Sequence, residues 1–382
     1  MNQQRILLAI EAMSEVERMA TVAAEYGYAL VVLAEDPSLY GRTSAAQVVQ
    51  FPTRDHNAIR DYIERHRQEI AQVFSVTDTW GIVAAELRDE FAFPQFAPAD
   101  TLRRLRDKKY VQERLEQCGL ISSRQGWPRI IKPRGGTGKI GVILVHSQEE
   151  FDDLIAQGTF SPQECLQQPF HFGPLYSAEI WRDSSQFYFF GLTNRILSGR
   201  PYFTETVKSF PWAANSEWEK QVEHWARTIT EALDYTFGQA HIEFIGTAHG
   251  YELVEINCRM AGALITPGVL ATTNYDPYRM AVEHALGVPI SLPPQRTVTG
   301  GFSHVSVYAE KPGILRAIHG LEKLRAYPGN PQWHASKDLG DTISDIGTYR
   351  SRIGNISARG ENAGLAQDRA IAAATEVSVT ID

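Results

Sequence analysis

The sequence predicts a mixed chain, α/β at its start and α+β at its end, in three units: residues 1–97, 98–298 and 299–382. Three observations carry that reading. Strand and helix patterns alternate up to about residue 95 and stop at the two-proline stretch "FPQFAPAD". A glycine-rich hairpin and a strand with alternating polar residues dominate the middle, and short strands take over after about residue 298. A chain of 382 residues outgrows one small core, so division into units is expected.

Residues 5–10, "RILLAI", read as a short buried strand. "SEVERMATVAAEYG" follows as a helix, with Ser14 and Glu17 at capping-box spacing and Gly27 at its stop. "ALVVLAED" completes a βαβ unit, and "QVFSV" with the helical "WGIVAAELRDEF" extends the pattern. The turn after the first strand lacks GxGxxG, which argues against a dinucleotide site there. In "DKKYVQERLEQCGL", Asp107 caps a helix, Gly119 ends it, and Lys108 lies in the first turn. A helix N-terminus already carries partial positive charge. Lys108 therefore either faces an anion or is solvated.

Residues 129–146, "RIIKPRGGTGKIGVILVH", predict a hairpin around Gly135, Gly136 and Gly138. "GTGKI" is no Walker A loop, because Ile140 follows Lys139 and a strand follows the loop. Backbone N–H groups of such a hairpin can still close over phosphates, with Lys132 adding a point charge. "SQEEF" caps the next helix. "ECLQQPFHFGPLYSAEIWRD" and "QFYFFGLTNRI" read as strands whose rings fill a core, followed by the helix "EWEKQVEHWARTITEALD". Past residue 298, "GGFSHVSVYAE", "LRAYPG" and "IGNISARG" read as strands, "GLAQDRAIAAAT" as a helix and "EVSVTI" as a last strand.

The stretch "YELVEINCRMAG" places Glu255, Asn257 and Arg259 at every second position, hence on one face of a strand, with Val254, Ile256 and Cys258 on the other. An ordinary half-exposed strand alternates as well. A hairpin turn at Thr247 to Gly250 would bring Glu243 beside Glu255. Two facing carboxylates are costly unless a cation sits between them.

Bulk composition excludes several classes. Hydrophobic content of 43%, charged content of 21% and a net charge of −8 describe a soluble globular chain without a basic stripe, so neither nucleic acid nor an anionic membrane is an expected partner. The N-terminal apolar run is too short for a signal peptide, and no stretch reaches the about 18 apolar residues of a membrane span. Cys118, Cys165 and Cys258 form no CxxC pattern, which fits a reducing cytoplasm.

The ordered set resembles the ATP-grasp superfamily across nearly the whole chain: "DK" opening a helix, a "KP" strand, the glycine hairpin, "HIEF", then "VEINCRMAG". "RMAGALITPGV" and "YRSRIGNISARG" look most like its L-amino-acid ligase branch, which joins a carboxylate to an amine at the expense of ATP. The resemblance implies an ATP-grasp fold with a Rossmann-like N-terminal domain. It also implies central ATP-grasp lobes with a glycine-rich lid at about 121–168 and a small α+β C-terminal domain. It implies ATP contacts from Lys108, Lys132, Gly135, Gly136 and Gly138. Gln168 falls where the family carries a glutamate beside adenine, and Phe170 would offer backbone to the ring. Leu175-Tyr176 occupies the place of a ribose-binding glutamate. Glu243 and Glu255 match the metal-binding acids and Asn257 the second-metal ligand, for two Mg²⁺ ions or Mn²⁺. Arg259 matches the arginine that meets the reacting carboxylate, with Gly262 on the substrate side. His241 would line the substrate pocket. Glu205 resembles a substrate-side acid, although Val207-Lys208 after it departs from the usual pattern.

The expected activity is therefore ADP-forming amide or peptide synthesis through an acyl phosphate, within peptide natural-product biosynthesis. The partners would be a small carboxylic acid and an amino-acid amine, in a homodimer by resemblance. The alternatives are a purine-pathway or biotin-carboxylase-like enzyme, or an inactive nucleotide-binding regulator.

Overall fold

The computed structural model describes residues 5–12, 15–40, 43–121, 126–136, 140–199 and 203–382; Ser14 and Gly138 lie outside them. Leu7 to Ile10 and Val31 to Ala34 are apolar without a break and buried. Such runs are what strands covered on both faces require. They belong to β1 (Arg5–Ile10) and β2 (Tyr28–Ala34), which with β3 (Ala46–Gln50) and β4 (Ile70–Phe74) form a parallel sheet of order β3-β2-β1-β4. Helix α1 (Val16–Glu25) covers one face, with Met19 and Ala23 against Leu7 and Val32. Helices α2 (His56–Arg65) and α3 (Asp78–Glu90) cover the other, with Ile59, Ile63 and Leu87 against Leu8 and Leu33. Glu17 accepts from Ser44 Oγ at 2.8 Å and from the Ser44 and Ala45 N–H groups, so it ties α1 to the loop before β3.

Helix α4 (Ala99–Arg106) meets α5 (Lys108–Gln117) at Asp107, whose carboxylate accepts from Lys109 N at 3.0 Å. Gly119, at φ +67°, follows the end of α5 as expected. A small antiparallel sheet, β6-β5-β7, comprises β5 (Arg129–Pro133), β6 (Ile143–Val145) and β7 (Cys165–Pro169). Arg129 pairs with Val145 in the expected hairpin, and Ser147 caps α6 (Gln148–Ala156).

The remaining elements in chain order are β8 (Leu175–Arg182), β9 (Phe187–Leu197), β10 (Glu205–Phe210), α7 (Glu217–Ala232), β11 (Gly238–Thr247) and β12 (Gly250–Asn257). They continue with α8 (Ile265–Thr272), α9 (Pro277–Leu286), β13 (Gly301–Tyr308), β14 (Gly313–His319), β15 (Gln332–Ala335) and β16 (Thr342–Ile343). Strand β17 (Arg352–Gly360), α10 (Ala363–Ala374) and β18 (Ser378–Ile381) end the chain. Eight strands build one antiparallel sheet, β12-β11-β8-β9-β10-β13-β17-β15, and β16-β14-β18 form a second three-stranded one. Because Val207 to Phe210 pairs with Phe302 to Val305, the large sheet runs on past residue 298. One of its faces is apolar: Ile180, Ile242 and Phe244 pack against Val222, Ala226 and Ile229 of α7. "LRAYPG" is not a strand. Residues 321–326 make a 3₁₀ turn, and Pro328 with Gly329 at φ +86° leaves no room for an extended run.

Candidate functional site

The opposite face of the large sheet is polar, and the site is built there. Strands β11 and β12 turn at Thr247 to Gly250, which sets Glu243 opposite Glu255 and His241 opposite Asn257. Glu255 lies on the sheet's edge strand and Asn257 Nδ2 donates to its Oε1 at 3.1 Å. Lys108, the first residue of α5, stands 3.4 Å from Glu255 Oε2 and donates to the Gly136 carbonyl of the glycine loop at 2.7 Å. Lys132 on β5 is buried and donates to the Val254 carbonyl at 2.9 Å. Burial pushes its pKa down to about 8, with Glu255 acting against the fall. The small sheet, the first turn of α5 and the edge of the large sheet thus converge on a cleft. Thr77, Lys108, Gly136, Gln168, Glu255 and Asn257 line it.

Behind Glu255 the face carries alternating charges that are almost fully buried. Glu179 accepts from Ser177 Oγ at 2.8 Å and Thr193 Oγ1 at 2.9 Å, and His241 Nδ1 lies 2.7 Å from its other oxygen. His241 Nε2 is 3.2 Å from Glu243, and Arg195 Nη1 is 2.7 Å from the same carboxylate. Arg195 also holds Glu205 at 2.5 Å, and Lys208 holds Glu205 at 2.9 Å. Burial disfavours every one of these charges. Burial alone would raise Glu243, but Arg195 and His241 hold it well below the ordinary carboxylate range. Burial alone would lower His241, but Glu179 lifts it from an ordinary 6.5 to about 9.

The structure alters two sequence expectations, those for Arg259 and Glu205, and locates Phe170 and Gly262. Strand β12 ends at Asn257, so Arg259 lies past the period-two pattern, although Glu255 and Glu243 still act on its charge. Its Nε donates instead to Asp78 Oδ2 at 2.5 Å, at the first residue of α3, and its Nη1 to the Met260 carbonyl at 2.8 Å. Glu205 is no free substrate-side acid, since two cations already match its charge. The Phe170 N–H is taken by the Pro128 carbonyl at 3.0 Å. Gly262 sits in the turn leading into α8, where its carbonyl accepts from Ile265 N. Among the described residues no three His, Cys, Asp or Glu side chains cluster to hold a metal, so any ion here needs ligand oxygens beyond the two carboxylates. No described helix is long and apolar enough to cross a membrane.

Arg195, Glu179 and Lys208 escaped the sequence reading. Ser177 with Glu179, and Thr193 with Arg195, carry the same i, i+2 signal as Glu255 with Asn257. The aromatic residues around them drew that reading toward core packing.

Residues 85–263 match the ATP-grasp domain family, and residues 306–382 match L-amino acid ligase C-terminal domain 2. The chain is 25% identical over 354 residues to an uncharacterized protein, y4rH, of Sinorhizobium fredii, covering 86% of this chain and 73% of that one. It is 24% identical over 198 residues to the L-arginine-specific L-amino acid ligase of Bacillus subtilis, covering 48% of this chain and 45% of that enzyme. The crystal structure of an L-amino acid ligase from Bacillus licheniformis superimposes with a TM-score of 0.81 over 100% of both chains at 16% identity, a likeness of fold. With the sheet, the cleft and both domain matches in hand, the chain has the ATP-grasp fold, with an ATP-grasp domain at residues 85–263 and an L-amino acid ligase C-terminal domain at residues 306–382.

Proposed function

We propose that the protein is an ADP-forming carboxylate–amine ligase that makes an amide or peptide bond through an acyl phosphate. One observation carries the reading: Glu243 and Glu255 face each other across a strand pair while Lys108, Lys132 and the glycine loop converge on the same edge. Glu243, Glu255 and Asn257 offer the hard oxygen donors that Mg²⁺, or Mn²⁺, takes beside nucleotide phosphates, and the bound ion would neutralise charge on the transferring phosphoryl group. Lys108 and Lys132 would bind the phosphates, and the β5–β6 loop with Gly135 and Gly136 would close over them and exclude water. Gln168, in the wall of the cleft, would meet the adenine.

The substrate carboxylate attacks the γ-phosphorus, and the bond to the bridging oxygen breaks as ADP leaves. The amine then attacks the acyl carbon, the C–O bond to phosphate breaks, and the amine proton leaves with phosphate. Arg259, on the substrate side of Glu255, would screen the carboxylate, because its planar fork meets two oxygens at once. Asp78 holds that fork in place meanwhile. His241 and Arg195 would fix Glu243 as a carboxylate pointing along the face.

The amino-acid reading of the amine draws on the C-terminal domain match and the Bacillus subtilis relative. Phosphate release, screened over carboxylic acids crossed with amino acids, tests the proposal. ADP and phosphate are expected, and hydroxylamine in place of the amine should trap the acid as a hydroxamate. AMP with pyrophosphate would overturn it.

A further inference from the structure

A second cavity adjoins the nucleotide cleft, and its chemistry is different. Gly81, Leu102 and Cys258 line both cavities. The Asp78–Arg259 ion pair stands at the partition, with Asp78 in the wall of the cleft and Arg259 in the wall of the second chamber. The chamber has a free volume of about 60 Å³, against about 40 Å³ for the cleft, and it opens to solvent, so a ring seated there would extend through its mouth. Its walls combine Phe96, Trp181, Phe237 and His284 with two guanidinium groups, Arg88 and Arg259. No carboxylate is among the described residues that line it.

Arg88 is the unusual member. It is 1% exposed, yet its partners are neutral: the Val73 carbonyl at 2.9 Å, the Ala97 carbonyl at 3.2 Å and Gln95 Oε1 at 3.1 Å. Among the described residues no carboxylate pairs with it. A buried charge without a counter-ion is costly, and an arginine has five N–H donors, more than these three bonds use. Its guanidinium lies over the Phe96 ring at 4.0 Å, and the His284 ring packs against the same ring at 4.7 Å, tilted by 54°. The buried indole N–H of Trp181 has no hydrogen-bond partner among the described residues. His284 adds no charge at neutral pH, since burial, with Arg88 nearby, pushes its pKa down to about 4. The chamber is therefore positive, flat-walled and short of acceptors.

We infer that this chamber seats the body of the acid substrate, and that the acid is a ring-bearing carboxylate without a free ammonium group. The inference rests on the ligase reading, which brings the reacting carboxylate to Arg259 at the chamber's mouth. An α-ammonium group entering there would meet the Arg88 guanidinium, which no carboxylate pairs among the described residues, and no lining acid, Arg259 being already matched by Asp78. An aromatic ring matches the Phe96, Trp181 and Phe237 faces and the guanidinium stack. An oxygen at the far end of the ring would accept from the spare Arg88 donors.

The test uses a matched pair, 3-phenylpropionate and L-phenylalanine, which differ only in the ammonium group. With ATP, Mg²⁺ and hydroxylamine, the full chain should form the hydroxamate of 3-phenylpropionate with kcat/KM about tenfold or more above that for L-phenylalanine. Ala281→Phe adds a ring to the chamber wall and should raise KM for 3-phenylpropionate while acetate, which has no ring to seat, keeps its KM. If a thermal melt finds Ala281→Phe unfolded, Phe237→Leu, which removes a ring but keeps apolar volume, reads the same preference. Preference for L-phenylalanine would overturn the inference and leave the ligase reading standing. If no acid yields ADP or hydroxamate, the ligase reading falls, and calorimetry then tests the chamber alone. Binding of 3-phenylpropionate that is lost in Ala281→Phe supports the chamber as a carboxylate site, and absence of binding to the parent protein overturns it.

Discussion

The two main sheets of this molecule spend their side chains differently. In the parallel β3-β2-β1-β4 sheet, Leu7 to Ile10 and Leu30 to Ala34 make both faces of the central strands apolar, and helices cover them. In the eight-stranded antiparallel sheet, one face packs on α7 and the other carries Glu179, His241, Glu243 and Arg195, all under 8% exposed. Parallel strands joined by crossover helices have no face to spare, whereas an antiparallel sheet keeps one face open to other work. The first sheet is a scaffold whose loops reach the site, through Asp78. The second is itself the floor of the site.

That contrast can be broken by substitution. The largest expected effect is on the stability of the polar face. Arg195→Met leaves Glu243 and Glu205 buried with one cation fewer between them, and should cost about 3–5 kcal/mol in chemical denaturation. Leu8→Ala in the parallel sheet should cost a comparable about 2–5 kcal/mol, but through a cavity. The difference lies in kinetics: Leu8→Ala protein that remains folded should keep its kcat, and Arg195→Met protein should not. Equal kcat in both would reduce the charged network to scaffolding.

Glu255→Gln comes next, and inverts the pattern. The edge carboxylate loses its charge but keeps its shape, so the melting temperature should hold while hydroxamate formation falls by about 10²–10³. A fully active variant at sub-millimolar Mg²⁺ would remove Glu255 from the proposed metal site.

Much of this was legible before any coordinates, for local reasons. The helix caps at Asp107 and Ser147 need only a side chain and the next turn of backbone. The Thr247 to Gly250 turn sets the register that opposes Glu243 and Glu255, and it spans four residues. What escaped depends on distant partners. Arg195 is recognisable as part of the site only once β9, β8 and β11 are neighbours. The Arg259 expectation carried period two past Asn257, where the strand stops, and Asp78, 181 positions earlier, takes the guanidinium. Trp181 was read as core because rings usually are, Phe96 fell in the two-proline linker, and Phe237 drew no reading. They line a chamber only because the segment between α3 and α4, β8 and the segment before β11 meet there.

Lys132→Ala should have a smaller effect, of the order of tenfold in KM for ATP (about 1.4 kcal/mol), with kcat nearly unchanged. A charge facing the phosphates acts alike in ground and transition states. Unchanged ATP affinity would mean that Lys132 serves only the Val254 carbonyl, as a strut between the small β6-β5-β7 sheet and the eight-stranded one.

The smallest effect is a slope. His241 has its pKa raised from an ordinary 6.5 to about 9 by Glu179, so the folded state holds a proton that the unfolded chain releases. The stability this contributes is complete below about pH 6.5 and is lost as pH rises through about 9, at roughly 1 kcal/mol per pH unit between. Lys132 runs the other way. Its pKa is lowered to about 8 by burial, so above pH 8 its folded form sheds a proton that the unfolded chain keeps, and stability is regained. The two windows overlap above pH 8, which makes pH 6.5 to 8 the clean interval for His241. Denaturation midpoints across that interval should fall in the parent protein and stay flat in His241→Gln. The parallel sheet offers an internal control, because no charged side chain of its central strands is buried there, and Leu8→Ala should shift the whole curve down without changing its slope. A slope that survives in His241→Gln would place the titrating group elsewhere, and the alternating ladder from Glu179 to Lys208 would lose its one pH-sensitive rung near neutrality.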